Sequence, residues 1–365
     1  MYEKLKILLV QLGSTGDCLF VTTIARQIKE VDYPGCHLTW LIGSRYKPAI
    51  INNPHVDEIL EIPVNNIEDL AKNRMDIPNL VRKLQDERKF EKIFITDFTH
   101  ENSDNFYGTT RTSLFRGYPH KIKIPVDPVI NLVDSEINRV NKFLFENNLK
   151  DSTFNILFEC SPQSSQSNMN LEMAKKIAYQ VIEKFPFVRV ILSSHNKLSD
   201  THQGIIDGSV LTWRENAELT KNCHLLIGCS SGISWLNTSS WSAKLPMIQS
   251  INPNYFHATL TASLKIDFQY FGLITDNLIE IADPSEEELL DCISLVIEHD
   301  FSKAHSKYRK HREIRFFNRS FFFDLLFKNR PGLLNMGKVQ LLFLLLRTYI
   351  QIKLSKFTSV HSFEK

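Results

Sequence analysis

Metal and disulfide chemistry have little to work with in this chain. Six cysteines are scattered through 365 residues, with no CxxC pair and no Cys/His ligand spacing. That argues against structural zinc and for reduced thiols in a cytoplasmic protein. No window reaches the roughly 18 apolar residues of a membrane span. The nearest approach, VQLLFLLLRTYI, is interrupted by Gln340 and Arg347. The opening MYEKLKILLV is too short an apolar run for a signal peptide, and no small-residue cleavage site follows it. No short fixed repeat occurs, which excludes a solenoid. There is no DxD motif in a metal-binding context and no GxGxxG with an acid at the ribose-binding distance, so neither a metal nor a dinucleotide cofactor is expected.

Charge is present but unevenly spread. The whole chain carries +2, whereas residues 302–356 hold 13 Lys/Arg against two acids, a net +11, which leaves −9 for the remainder. An acidic body with a basic, Phe- and Leu-rich tail reads as a membrane-surface element: basic residues attract anionic lipid while apolar ones enter the headgroup boundary. A helix packed back on the body is the plainer reading. Nucleic acid is not an expected partner, because no recognition motif is present and the body is acidic.

Strands and helices alternate. KILLV, CHLTWLIG, PHVDEILEI and FEKIFITDF read as strands; Asp17–Val31 and IEDLAKNRMDIPNLVRKLQDERK read as helices. After a proline-containing stretch and a helix the pattern restarts: FNILFECS, VRVILSS, CHLLIGCSSG and LPMIQSI as strands, with NLEMAKKIAYQVIEKF, RENAELTKN and ISWLNTSSWS as helices. This predicts two α/β domains with parallel sheets, over residues 1–140 and 151–300, and a basic helical tail over 301–365.

Ligands in open α/β sheets bind beyond the carboxyl ends of the strands. Gly13-Ser14-Thr15-Gly16 stands at such an end, and its small residues let a ligand approach the backbone. Asp17 follows at once. A first-turn acid favours the helix dipole; the same carboxylate facing a ligand is a general base. Spacing leaves both open. Two Ser-rich turns follow strands of the second half. One offers Ser161, Ser164, Ser165 and Ser167, the other Ser230, Ser231 and Gly232. Together they make a candidate phosphate cradle, with ordinary capping as the alternative. Arg111 and Arg116, near Phe106, Tyr107 and Tyr118, are candidates for contact with an acceptor.

These residues resemble a known family. The stretch from KILLVQLGSTGD to NPHVDEIL, with Gly16-Asp17, Thr22-Thr23, Trp40-Leu41 and Asn53-Pro54-His55-Val56-Asp57-Glu58, is similar to the N-terminus of the bacterial heptosyltransferases, glycosyltransferase family 9. LTWRENAELTKNCHLLIGCSSGISWLNTSSWSAKLPMI resembles that family's second-domain segment. The resemblance spans roughly residues 5–250 and not the tail. It implies a GT-B fold, two Rossmann-like domains facing a cleft, with the acceptor on the first and a nucleotide sugar on the second. It implies inverting, metal-independent transfer with Asp17 as base; the expected acceptor is a lipopolysaccharide core or related surface glycan, and the basic tail leads us to expect an enzyme peripheral on the inner face of the cell membrane. The pattern also departs: Ser230-Ser231-Gly232 stands where the family has Asp-Ser-Gly, Trp235 where it has His, and SPQSSQSN lacks the usual Lys or Arg. A UDP- or GDP-hexose transferase for capsule, O-antigen or glycoprotein, and a non-catalytic nucleotide-sugar scaffold, are the alternatives to an ADP-heptose enzyme.

Overall fold

The computed structural model describes residues 4–97, 105, 109–149, 153–162, 165–198, 203–253, 262–308, 343, 346, 347 and 350. The chain divides into two compact units; the chain up to Val129 falls in the first, and Ile130 opens the second.

The first unit starts with strand β1 (Lys6–Val10) and helix α1 (Thr15–Gln27), which runs on as a π-helical turn over Ile28–Asp32. Then come β2 (His37–Gly43), β3 (Glu58–Ile62), α2 (Ile67–Met75), α3 (Ile77–Arg88), β4 (Lys92–Ile95) and α4 (Thr110–Arg116). The four strands are parallel in the order β3-β2-β1-β4. Ile7 to Val10 have no exposed surface. The lack of polar alternation in KILLV is the mark of a strand covered on both faces. The predicted helix over IEDLAKNRMDIPNLVRKLQDERK is two helices, broken at Asp76. Pro78 has no N–H to give and its ring crowds the preceding turn, so it is tolerated only at a new helix start.

The second unit contains α5 (Asp134–Glu146), β5 (Phe154–Glu159), α6 (Leu171–Lys184), β6 (Val188–Ser193), β7 (Ile205–Asp207), α7 (Glu215–Leu219), β8 (Leu225–Gly228), α8 (Gly232–Leu236), β9 (Met247–Ile251), α9 (Leu264–Phe271), β10 (Leu278–Ala282), α10 (Glu286–Glu298) and α11 (Phe301–Tyr308). Its six parallel strands run β10-β9-β8-β5-β6-β7. Helix α6 buries Ala174, Ile177, Ala178, Val181 and Ile182, a stripe at helical spacing. That stripe joins Ile156, Phe158, Val190, Leu192, Ile279 and Ile293 in one core.

Two predicted boundaries move. Helix α5 belongs to the second unit, not to a first domain ending at residue 140. Arg214 holds it, with Nε 2.6 Å from Glu136 Oε1 and Nη2 2.5 Å from the Asn131 carbonyl. The helix expected over ISWLNTSSWS stops at Leu236. Asn237 then exchanges hydrogen bonds with Leu245, and the Ser242 hydroxyl donates to the Leu236 carbonyl, so short polar side chains outbid the helix for the backbone. Of the predicted tail, α11 is seen; beyond Tyr308 the expected amphipathic segment lies almost wholly outside the described residues. Among the described residues no helix is long and apolar enough to cross a membrane.

Candidate active site

Each sheet has one place where the chain reverses its direction of strand addition. In the first unit it falls between β1 and β4, with β2 and β3 laid down on the other side of β1. Such a switch point opens a crevice at the carboxyl ends of the strands. The turn after β1 carries Gly13 to Asp17, and β4 is followed by Thr96 and Asp97.

Asp17 is the third residue of α1 and 6 % exposed. Its Oδ2 accepts from the Ser14 N–H at 3.3 Å and the Ser14 hydroxyl at 3.0 Å. This is first-turn capping of the ordinary kind. Its Oδ1 does something else. No hydrogen-bond donor reaches it among the described residues, and the guanidinium Nη2 of Arg111 lies 3.2 Å away as an ion pair. Cap and base are therefore compatible roles for one carboxylate, split between its two oxygens.

Two residues that the sequence reading passed over hold this turn. Asp97 has no exposed surface. Its Oδ2 accepts from the Leu12 N–H and its Oδ1 from Arg74 Nε, both at 2.7 Å. Arg74 Nη2 also donates to the Gly13 carbonyl at 2.5 Å, an oxygen that Gln11 Nε2 shares at 2.7 Å. Burial pulls the Arg74 pKa down, but Asp97 and then Asp17 outweigh it and hold it above its usual value. Asp17 thus sits in the field of two guanidiniums. Gly13 itself is required by packing, since a Cβ there would stand 2.5 Å from Tyr46 Cε2. Arg111 reaches Asp17; Arg116, further along α4, does not share that contact and donates from Nε to the Asn105 carbonyl at 3.1 Å.

In the second unit the switch point lies between β5 and β8, which pair through Ile156–Leu225 and Phe158–Ile227. Both predicted Ser-rich turns follow these strands, so the sheet brings them together. Four of their hydroxyls, however, already have partners within the chain. Ser161 pairs with Ser194 at 3.0 Å, and Ser167 donates to Ser250 at 3.0 Å. Ser230 donates to the Ala262 carbonyl, and Ser231 donates to Glu159 Oε1 at 2.5 Å. Each hydroxyl has one proton to give. Ser165 and Ser230 adopt left-handed backbone, at φ 55° and 53°. Gly232 lies under Trp213, whose Nε1 would be 2.9 Å from a Cβ. Ser164 is outside the described residues.

Glu159 and Gln249 are the other omissions. Glu159 terminates β5, is 4 % exposed, and faces the turn after β8. Gln249 Oε1 accepts from the Ser230 N–H at 2.8 Å and lies 3.0 Å from Ser234 Oγ, whose one proton points to Glu159 at the shorter distance of 2.8 Å. The signal for Asp97 and Glu159 was present: each is an acid at the carboxyl end of an apolar strand, as in FITD and NILFE, the end of a sheet at which Asp17 also stands. Arg74 sits on a polar helix with nothing to mark it. Among the described residues no three His, Cys, Asp or Glu side chains are grouped to hold a metal ion.

The sequence matches no protein-family model and no curated protein. Solved structures do match. A glycosyltransferase of family 9 from Veillonella parvula superposes with a TM-score of 0.54 at 12 % identity, over 86 % of this chain and 98 % of that one. The E. coli ADP-heptose lipopolysaccharide heptosyltransferase II gives 0.51 at 12 % identity, over 80 % and 99 %. The likeness is one of fold: two α/β units with parallel sheets, of the GT-B-like class expected from the sequence.

Proposed function

We propose that the chain is a glycosyltransferase that moves a sugar from a nucleotide-diphosphate sugar to a hydroxyl of a surface-glycan acceptor, with Asp17 as general base. The observation that carries this reading is the divided carboxylate. One oxygen fastens the start of α1, and the other, beside Arg111, accepts no hydrogen bond among the described residues. In the reaction Oδ1 takes the acceptor hydroxyl's proton as that oxygen bonds to the anomeric carbon. The bond from that carbon to the diphosphate breaks on the opposite face, and the nucleoside diphosphate leaves. Inversion follows from this geometry. Arg111 fits a role in orienting Asp17 or meeting charge on the acceptor. A neighbour of the same fold acts on ADP-heptose and lipopolysaccharide by its description, and a heptose donor with a lipopolysaccharide-core acceptor is the first pair to try. UDP- and GDP-hexoses follow, because the family's Asp and His are Ser230 and Trp235 here. The basic, Phe-rich sequence after Tyr308 supports work at the inner face of the membrane, where lipid-linked acceptors lie.

The test is release of ADP, UDP or GDP from the corresponding sugars, with and without a lipopolysaccharide-core acceptor. Asp17→Asn keeps a capping oxygen and loses the base, so turnover drops about 10²- to 10⁴-fold with the fold intact. Undiminished turnover in that variant removes Asp17 from the chemistry.

A further inference from the structure

The turn after β8 looks like an anion site, and the anion in it belongs to the chain. Glu159 Oε1 accepts from Ser231 Oγ at 2.5 Å and the Ile233 N–H at 2.9 Å. Its Oε2 accepts from the Cys229 N–H at 3.1 Å and Ser234 Oγ at 2.8 Å. Four donors thus converge on one carboxylate that is 4 % exposed. Two are backbone N–H groups, of Cys229 just after β8 and of Ile233 in the first turn of α8, the kind of group that a Ser/Gly turn after a central strand would offer to phosphate. The rest of the turn is also committed: the Ser230 N–H goes to Gln249 Oε1 and its hydroxyl to the Ala262 carbonyl.

We propose that Glu159 is a specificity-determining residue, a resident carboxylate that closes the turn after β8 to phosphate. A ligand phosphate there would find its donors occupied and a like charge within a few ångströms, where the low dielectric makes repulsion strong. The diphosphate of a nucleotide donor must then be met away from this turn. As a statement about donor selection this rests on the glycosyltransferase reading; as a statement about the turn it is tested without it.

The experiment follows the amide resonances of Cys229 and Ile233 in the full-length protein during titration with pyrophosphate, ADP, UDP and GDP. In the wild type neither resonance moves with any of the four. In Glu159→Gln, which removes the charge and keeps the shape, pyrophosphate moves both and binds about ten- to a hundredfold more tightly. Movement of these amides in the wild type, or unchanged pyrophosphate affinity in Glu159→Gln, overturns the proposal. Should the variant not fold, the wild-type titration decides alone. A chain that gives these results yet turns over no nucleotide sugar keeps the closed turn and loses the glycosyltransferase reading.

Discussion

Replacing Asp97 by alanine isolates what holds the turn that carries Asp17. The side chain has no exposed surface and ties together two segments that are far apart in sequence: the Leu12 N–H at 2.7 Å and Arg74 Nε at 2.7 Å. Leu12 is itself fully buried, so its N–H is orphaned in Asp97→Ala at a cost of about 1–3 kcal/mol. Arg74 loses a charged partner, but its side chain is 23 % exposed and keeps the Gly13 carbonyl; solvent screening limits that part to about 1 kcal/mol. The sum, about 3 kcal/mol, lowers the melting temperature of the first unit by roughly 10 °C at the entropy of a unit this size. Asp97→Asn keeps an acceptor for Leu12 and loses the charge, so about half the effect remains. Differential scanning calorimetry of the three proteins measures this directly. If Asp97→Ala melts within about 1 °C of the wild type, the turn after β1 does not depend on this carboxylate, and the account of how Asp17 is positioned falls with it.

Other outcomes follow from the same contacts. Burial raises the Glu136 carboxyl, but the ion pair with Arg214 and the Val133 N–H outweigh it and leave the pKa below its usual value. The pair therefore stabilises the second unit above the unfolded carboxyl range of about pH 4.3 and loses that contribution as pH falls through the folded value. Glu136→Gln should flatten stability against pH in acid, as read by urea unfolding; an unchanged acid limb refutes it. Gly228→Ala places a Cβ 2.3 Å from both Gln249 Nε2 and Ser234 Oγ, two residues without exposed surface. The expected loss is about 1–3 kcal/mol, and a urea midpoint equal to the wild type contradicts it. All six cysteines are buried and free; burial, with Glu159 nearby, pushes the Cys160 thiol up to about 12. Ellman's reagent at pH 8 should label none in the folded protein and six after denaturation. Rapid labelling of any thiol in the native state contradicts the packing.

Element identity was legible wherever one face or both faces of an element had to be apolar. KILLV, NILF and HLLI could only be buried strands, and the alternation with helices required parallel sheets, because a parallel connection needs a crossover. The misreadings share a local cause. At Asp76 the restriction imposed by Pro78 overrides a continuous helical pattern. After Leu236 a run of Ser, Thr and Asn trades helix for side-chain hydrogen bonds. Helix α5 was assigned across the division because its partners, Arg214 and Glu215, come about 75 residues later and leave no trace in local periodicity.

The site divides along the same line. Sequence alone determined that Asp17 starts a helix just beyond a buried strand, and that two Ser-rich turns follow strands of the second sheet, because strand ends and helix caps are set by neighbours within a few residues. It did not determine which charge meets which. Tertiary structure brought Arg111 and Arg74 to Asp17 from α4 and α2, and set Asp97 beneath the turn from the adjacent strand. It also delivered Glu159 into the turn after β8 across 70 residues of sequence. Charges act through space at a few ångströms, and only the order of strands in a sheet decides which carboxylates and guanidiniums come that close.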